Sequence, residues 1–242
     1  MQDEGKPLHD QRKITIDVLS LFPGYFTGPF DQSMIKRARE SGLVGIRQVD
    51  IRDFAEGKHK QVDDRTYGGG PGMVMMASPV VKAIRSVKTP DSHVVYMSPQ
   101  GKRLTAQKCR ELSKHKHLVI LCGHYEGVDQ RALDLEVDEE ISVGDFVLTN
   151  GCAAALLVID SLLRFVPGFV GNEQAVIEDS FSEPILDCPH YTRPEVFEGI
   201  EVPKVLLSGN HQQIKEWRGE QALLKTRAVR PDLLKNEGEN NE

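Results

Sequence analysis

Leu118–Gly127 reads LVILCGHYEG: five apolar residues run unbroken into a loop that opens and closes on glycine. A strand that is apolar on both faces is buried on both faces, the habit of parallel sheets covered by helices. Upstream, Val94–Met97 (VVYM) predicts a second such strand, followed by Ser98-Pro99-Gln100-Gly101. Downstream, a strand predicted near Glu140–Val143 leads through Gly144-Asp145 to Asn150-Gly151 and a strongly apolar helix. Ligands in open parallel sheets bind outside the carboxyl ends of strands, and glycine lets main-chain groups approach them closely. Three such loops together point to a ligand site; any one alone is an ordinary tight turn.

The rest of the chain fits this frame. Ile14–Phe22 alternates and ends at Pro23, predicting a first strand, and Val44–Ile51 a second. Between them Phe30–Ser41 carries Phe30, Met34, Ile35 and Ala38 at helical spacing and stops at Gly42. The polar, glycine-rich stretch Asp53–Gly72 reads as loop. Ser78 with Pro79 predicts a helix start running to about Val87. Thr105 caps a helix to about His115, another falls near Asp129–Leu135, and Asn150 caps Gly151–Val166, ended by Pro167-Gly168. Alternating strand and helix make an α/β domain with a parallel sheet. Residues 168–192 lose periodicity. Pro194–Gly199 reads as one or two helical turns, and Ser208 as the cap of a long amphipathic helix to about Val229. The organisation expected is a disordered leader (1–12), an α/β domain (13–168), a linker (169–181), a small helical domain (182–235) and a disordered tail (236–242).

With 242 residues, 39% of them hydrophobic, the chain has enough apolar side chains for a real core, which excludes disorder over most of its length. The longest apolar run, Ala153–Ile159, is far short of a bilayer span, and MQDEGKPLHDQRK lacks the apolar region of a signal peptide, so a cytoplasmic protein without membrane contact is expected. Cys109, Cys122, Cys152 and Cys188 form no CxxC pair and read as reduced thiols. Cys188 and His190 alone supply too few ligands for zinc, so no metal site is expected. A net charge of −6 argues weakly against a nucleic-acid partner, but charge is local: between Lys204 and Lys235 seven basic residues face three acidic ones.

None of the loops is a GxGxxG or GxxxxGK[ST] phosphate loop. YGGGPGM (Tyr67–Met73) follows a polar loop rather than a strand, which disfavours phosphate binding in the dinucleotide manner. It reads either as a hinge or as a backbone wall suited to a flat group such as a base.

Taken in order, DDRTYGGGPGM, YMSPQG, CGHYEGVDQR, SVGDFVLTNG, LLRFVPG and DSFSEPILDCPHYTRPEVFEG closely resemble the bacterial TrmD-type tRNA (guanine-N1)-methyltransferases of the SPOUT class. The likeness covers about residues 14–235. It implies a parallel sheet with a deep trefoil knot, a feature no periodicity could reveal, a small helical domain, and a homodimer with composite active sites. It also implies methylation of N1 of guanosine 37, just 3′ to the anticodon of tRNA, by S-adenosyl-L-methionine, with Mg2+ in the transfer step. No carboxylate cluster in the sequence independently marks a magnesium site.

Residue by residue, the resemblance assigns the cofactor to Tyr96, Met97, Ser98 and Pro99, to Gly123, Tyr125, Glu126 and Gly127, and to Ser142, Val143, Gly144, Asp145, Phe146, Val147, Leu148, Asn150 and Gly151. Methyl transfer to guanine N1 requires removal of a ring proton while negative charge builds toward O6, so a carboxylate and a cation are the minimal equipment. By family position the base is Asp179, supplied to the other subunit's pocket, and the cation Arg164, with Glu126 near the sulfonium. Gly69, Gly70, Pro71, Asp187, His190, Tyr191, Arg193, Lys215 and Arg218 are the implied RNA contacts at the anticodon stem-loop. Departures are His124 for the usual arginine, Asn150-Gly151-Cys152-Ala153-Ala154 for Gly-Gly-Glu-Leu-Pro, and Thr66 for proline. Beside this reading stand a related methyltransferase acting on ribosomal RNA or protein, and a non-catalytic RNA-binding dimer.

Overall fold

The computed structural model describes residues 14–172, 176 and 178–234; the expected leader and tail, and positions 173–175 and 177 of the expected linker, lie outside them. The chain divides into two units, Met1–Gly171 and Asn172–Glu242.

The first unit is built on five parallel strands: β1 (Ile14–Ser20), β2 (Val44–Asp50), β5 (Ser92–Arg103), β6 (His117–Cys122) and β7 (Glu139–Ser142), in the order β2-β1-β6-β5-β7. Helices α1 (Ser33–Glu40), α2 (Ala77–Val87), α3 (Ala106–Leu112), α4 (Gln130–Glu136) and α5 (Cys152–Leu163) connect or follow them. The strands' period of two divides the core cleanly. Val95, Met97, Leu118, Ile120 and Cys122 join the buried cluster containing α3 and α5 side chains. Val94, Tyr96, Val119 and Leu121 face the other way, into the cluster containing Val80, Ala83, Ile84, Ala132 and Leu133 of α2 and α4. Every residue of β6 is buried, as its composition requires. On α5, Ala154, Ala155, Val158, Ile159, Leu162 and Leu163 form the buried stripe that a helix packed on a sheet presents.

Several local expectations are corrected. The strand expected at Val94–Met97 extends to Arg103, because Lys102 and Arg103 pair with Ile141 and Ser142 after the chain bulges out between Met97 and Lys102. A bulge accommodates Pro99, which has no N–H for the ladder. Ser78 is not a cap: α2 begins at Ala77 after Met76, which makes no side-chain capping bond. The stretch Asp53–Gly72 is not all loop. Asp63–Arg65 (β3) pairs antiparallel with Met73–Met75 (β4), so YGGGPGM does follow a strand and contains the tip of a hairpin. Polar β3 carries no hydrophobic alternation by which it might be seen.

In the second unit Pro194–Gly199 is not helical. Val196–Phe197 (β8) and Ile200–Glu201 (β9) form a hairpin whose two-residue turn, Glu198-Gly199, has φ of +51° and +81°. Positive φ at both positions matches the twist of a tight hairpin. Short α6 (Lys204–Leu207) follows, ended by Ser208, whose Oγ donates to the Val205 carbonyl. The long helix α7 (His211–Val229) is capped by Asn210, whose Oδ1 accepts from the Gln213 N–H at 3.2 Å, not by Ser208. Only Ala222 and Thr226 of α7 are buried, so the helix is more polar all round than the amphipathic one expected. No helix among the described residues is long and apolar enough to cross a membrane.

Candidate functional site

The bulge in β5 and the glycine-bearing loops that follow β6 and β7 meet at one cavity. Tyr96, Met97, Ser98 and Pro99 form one wall, and Gly123, Tyr125, Glu126 and Gly127 a second. Ser142, Val143, Phe146, Val147, Leu148, Asn150 and Gly151 complete the lining. Of the cofactor contacts expected from sequence, only Gly144 and Asp145 stay off the wall. Gly144 is buried behind it, its N–H and carbonyl both engaged by Ser142 Oγ, and the exposed Asp145 lies 3.8 Å from Arg103. His124, Ile141, Thr149 and Ala154 line the cavity without having been predicted. His124 was readable from its place between Gly123 and Tyr125; Ala154 came into reach only once α5 packed.

Local chemistry fixes these walls. The Gly151 N–H donates to the Gly123 carbonyl at 2.8 Å, joining the start of α5 to the end of β6. A Cβ on Gly151 would lie 2.9 Å from the Gly123 nitrogen and 3.0 Å from Cys122 Cα, so backbone passes backbone with no side chain between. The helix starts at Cys152, so Gly151 and not the expected Asn150 stands at its N-cap; Asn150, one residue earlier, accepts the Cys152 N–H on its Oδ1 at 2.9 Å. Tyr125 sits at φ +59°, a conformation unusual for a bulky residue and held here by the surrounding loop. The His124 ring lies 5.2 Å from Phe22 and 4.5 Å from Tyr125, and its Nδ1 accepts from the Tyr125 N–H. Burial, and after it the Glu140 carboxylate, push the Tyr96 phenol up to about 12, so it stays neutral beside the cavity. Beneath the floor, Cys122 and Cys152 are buried thiols, and burial holds Cys122 well above its ordinary value.

The wall mixes apolar and polar groups and, among the described residues, carries one carboxylate. Glu126 is exposed to the cavity, and no cation among the described residues pairs with its carboxylate. Phe146, Val147 and Leu148 are left 54%, 83% and 39% exposed at the mouth. Arg164 ends α5 in an exposed position in this unit. Gly69, Gly70 and Pro71 stand exposed at the hairpin tip.

The remaining expected residues lie in the second unit. His190, Tyr191, Arg193 and Arg218 line a cavity of about 650 Å³ there, with Leu206 and Ile214 beneath. Lys215 is exposed on α7 and does not line it. Asp187 accepts from His190 Nε2 at 2.9 Å and from the Cys188 N–H at 2.7 Å. Burial raises its pKa, but these bonds outweigh that and hold the carboxyl below its ordinary value. Asp187, Cys188 and His190 bring three possible metal ligands within 4.8 Å, one more than the sequence suggested. Asp179 is exposed and its Oδ1 accepts from the Ser180 N–H at 2.9 Å.

The model of a family described as tRNA (Guanine-1)-methyltransferase TrmD matches residues 14–236. A Protochlamydia amoebophila protein named tRNA (guanine-N(1)-)-methyltransferase is 64% identical over 219 residues, covering 90% of this chain and 99% of that protein. Relatives of the same name from Chlamydia muridarum and Chlamydia caviae are 58% and 57% identical over 218 residues, 90% of this chain. The chain spans 62% and 61% of those two relatives' own lengths.

Proposed function

The chain belongs to the TrmD family of tRNA (guanine-1)-methyltransferases, and on that premise we propose that it carries a methyl group from S-adenosylmethionine to N1 of guanosine 37 of tRNA. The single observation that carries this reading is the meeting of the β5 bulge with the glycine-bearing loops after β6 and β7 in one cavity, where Glu126 is the only lining carboxylate among the described residues and pairs with no described cation. The donor supplies a methyl on a positively charged sulfur, and its C–S bond breaks as the bond to N1 forms. Glu126 lies on the wall where such a charge needs an offset, and Tyr96, Phe146 and Leu148 give the apolar surfaces a purine requires. The bare backbone at Gly123 and Gly151 fits a ligand held by main-chain groups, since a side chain at either would strike Tyr96 or the Cys122–Gly123 backbone.

Asp179 takes the N1 proton, leaving the ring lone pair to attack, and the Arg164 guanidinium stabilises the charge that collects on O6. His190, Tyr191, Arg193 and Arg218 offer cations and an aromatic face to the RNA of the anticodon stem-loop, with Asp187 orienting His190. Gly69, Gly70 and Pro71 give the acceptor base a wall without side chains.

The active enzyme is a homodimer in which the linker carboxylate of one subunit serves the cavity of the other; Phe146, Val147 and Leu157, all more than half exposed, supply apolar surface for it. The chain passing under Gly123 at Gly151 is the tight point of a SPOUT-type trefoil knot. The cofactor-binding domain ends at Gly168 and the RNA-binding domain begins at Ser182, and the reaction belongs to the cytoplasm. Magnesium prefers near-octahedral oxygen ligands, and among the described residues the cavity offers it one carboxylate, Glu126.

Calorimetric titration with S-adenosylmethionine, with and without tRNA, tests the reading. Saturable donor binding by the protein alone is expected. RNA binding without donor binding would favour a non-catalytic RNA-binding dimer.

A further inference from the structure

Glu126 is held from an unexpected direction. The β3–β4 hairpin is stitched to the loop after β6: the Glu126 N–H donates to the Met73 carbonyl, the Met75 N–H to Gly127 and the Asp129 N–H to Met75, each at 2.9 Å. Met75 and Val128 form an isolated parallel bridge along the same seam. Gly72 immediately precedes Met73. A Cβ built on Gly72 overlaps Cγ and Oε1 of Glu126 and lies 2.7 Å from its Cδ, so the Glu126 side chain fills the space that any other residue's Cβ would take. Its neighbours differ. Gly68 and Gly69 share a positive φ, at +85° and +79°, yet a Cβ on either meets nothing within 4 Å.

The geometry points to Gly72 as the positioning residue for Glu126: its missing side chain sets the rotamer that keeps the carboxylate on the cavity wall. This rests on the reading that the cavity binds a sulfonium donor. A carboxylate aimed at a sulfonium strengthens binding of the cationic donor and not of S-adenosylhomocysteine, the neutral thioether left after transfer. Gly72 therefore affects charge discrimination, which a merely structural glycine would leave alone. The same seam joins the hairpin tip bearing Gly69, Gly70 and Pro71 to the loop bearing Glu126, so one short element braces both.

The experiment titrates wild type, Gly72→Ala, Gly68→Ala and Glu126→Gln with S-adenosylmethionine and with S-adenosylhomocysteine. Gly72→Ala and Glu126→Gln are expected to lower the ratio of donor to thioether affinity about fivefold, the factor a unit charge at ~4 Å contributes in water. Gly68→Ala, which suffers the same backbone strain without the overlap, should keep the wild-type ratio. Combining Gly72→Ala with Glu126→Gln should lower it no further than Glu126→Gln alone. Gly72→Asn repeats the test with a residue that tolerates positive φ, should the alanine variant not fold. An unchanged ratio in the Gly72 variants, an equal fall in Gly68→Ala, or additive effects in the double variant would overturn the assignment. Wild type binding neither ligand would instead overturn the donor reading, and this one with it.

Discussion

Asp17 and His117, a hundred positions apart in the chain, are joined by a 2.8 Å hydrogen bond between His117 Nε2 and the Asp17 carboxylate. Asp17 also takes two 2.6 Å bonds from Arg47, and His117 Nδ1 lies 2.7 Å from Ser92 Oγ. One polar chain thus crosses β2, β1, β6 and β5, with the Asp17 side chain fully buried. His117 and Ser92 open their strands, so the network sits away from the carboxyl ends that line the cavity.

Asp17→Ala strips this network of its central acceptor and leaves buried His117 with Ser92 alone. It is expected to lower stability by about 3 kcal/mol, since removing one member of a buried polar pair strands the other. Urea denaturation checks this. Donor affinity of the folded variant should hold within about twofold, because no member of the network lines the cavity.

Glu136, buried at the end of α4, gives the fold a pH dependence. Burial raises its pKa, but hydrogen bonds and charge from Arg85 and Lys88 outweigh that and hold it below the ordinary 4.5. A carboxyl lowered in the folded state stabilises the fold above its unfolded pKa, and that contribution fades as pH falls through the folded value. Glu136→Gln should therefore be less stable than wild type at pH 7 by about 1–2 kcal/mol, a figure discounted because Arg85 is largely solvent-exposed. The gap should narrow steadily as pH drops below 4.5. Denaturant midpoints of both proteins across pH 3–7 would reveal it.

Gly151→Ala separates shape from flexibility. Gly151 has φ −75°, which any residue adopts, so the penalty is steric: the new Cβ lies 3.2 Å from Met97 Cβ and closest to the Gly123 nitrogen and Cys122 Cα. Both are backbone and cannot swing aside. Donor affinity is expected to fall at least about tenfold, because the two loops must part to admit the methyl group. A calorimetric titration matching wild type would show that this crossing does not shape the site.

Asp179→Asn keeps the size of the side chain and removes its basicity. The rate of methyl transfer in a single turnover should fall about 100-fold or more, the usual effect of a missing general base, while donor affinity stays within about twofold. Loss of both together would place Asp179 in donor binding instead.

What the sequence made legible follows from burial. Strands such as LVILC announce themselves because both faces are covered, and the loops leaving them are where ligands meet a parallel sheet. The elements missed are held by other means. β3 is three polar residues whose register comes from pairing with Met73–Met75, and β8–β9 is a hairpin whose Glu-Gly turn lacks the usual Asn or Asp. The helix caps misplaced at Ser78 and Ser208 show that a good capping residue one or two positions away from a helix start gives no signal of its own error. Most residues that line the cavity were legible from motifs in order, but the seam from Met73 to Glu126 was not. It depends on a main-chain register between segments more than fifty residues apart.

The most direct test offers the enzyme unmodified tRNA and methyl-labelled S-adenosylmethionine, then digests the product to nucleosides and identifies them by mass spectrometry. Label is predicted in 1-methylguanosine alone, at position 37, and should vanish when that guanosine is replaced by adenosine, whose N1 carries no proton to remove. Label in another nucleoside, or transfer undiminished by the replacement, would contradict the account.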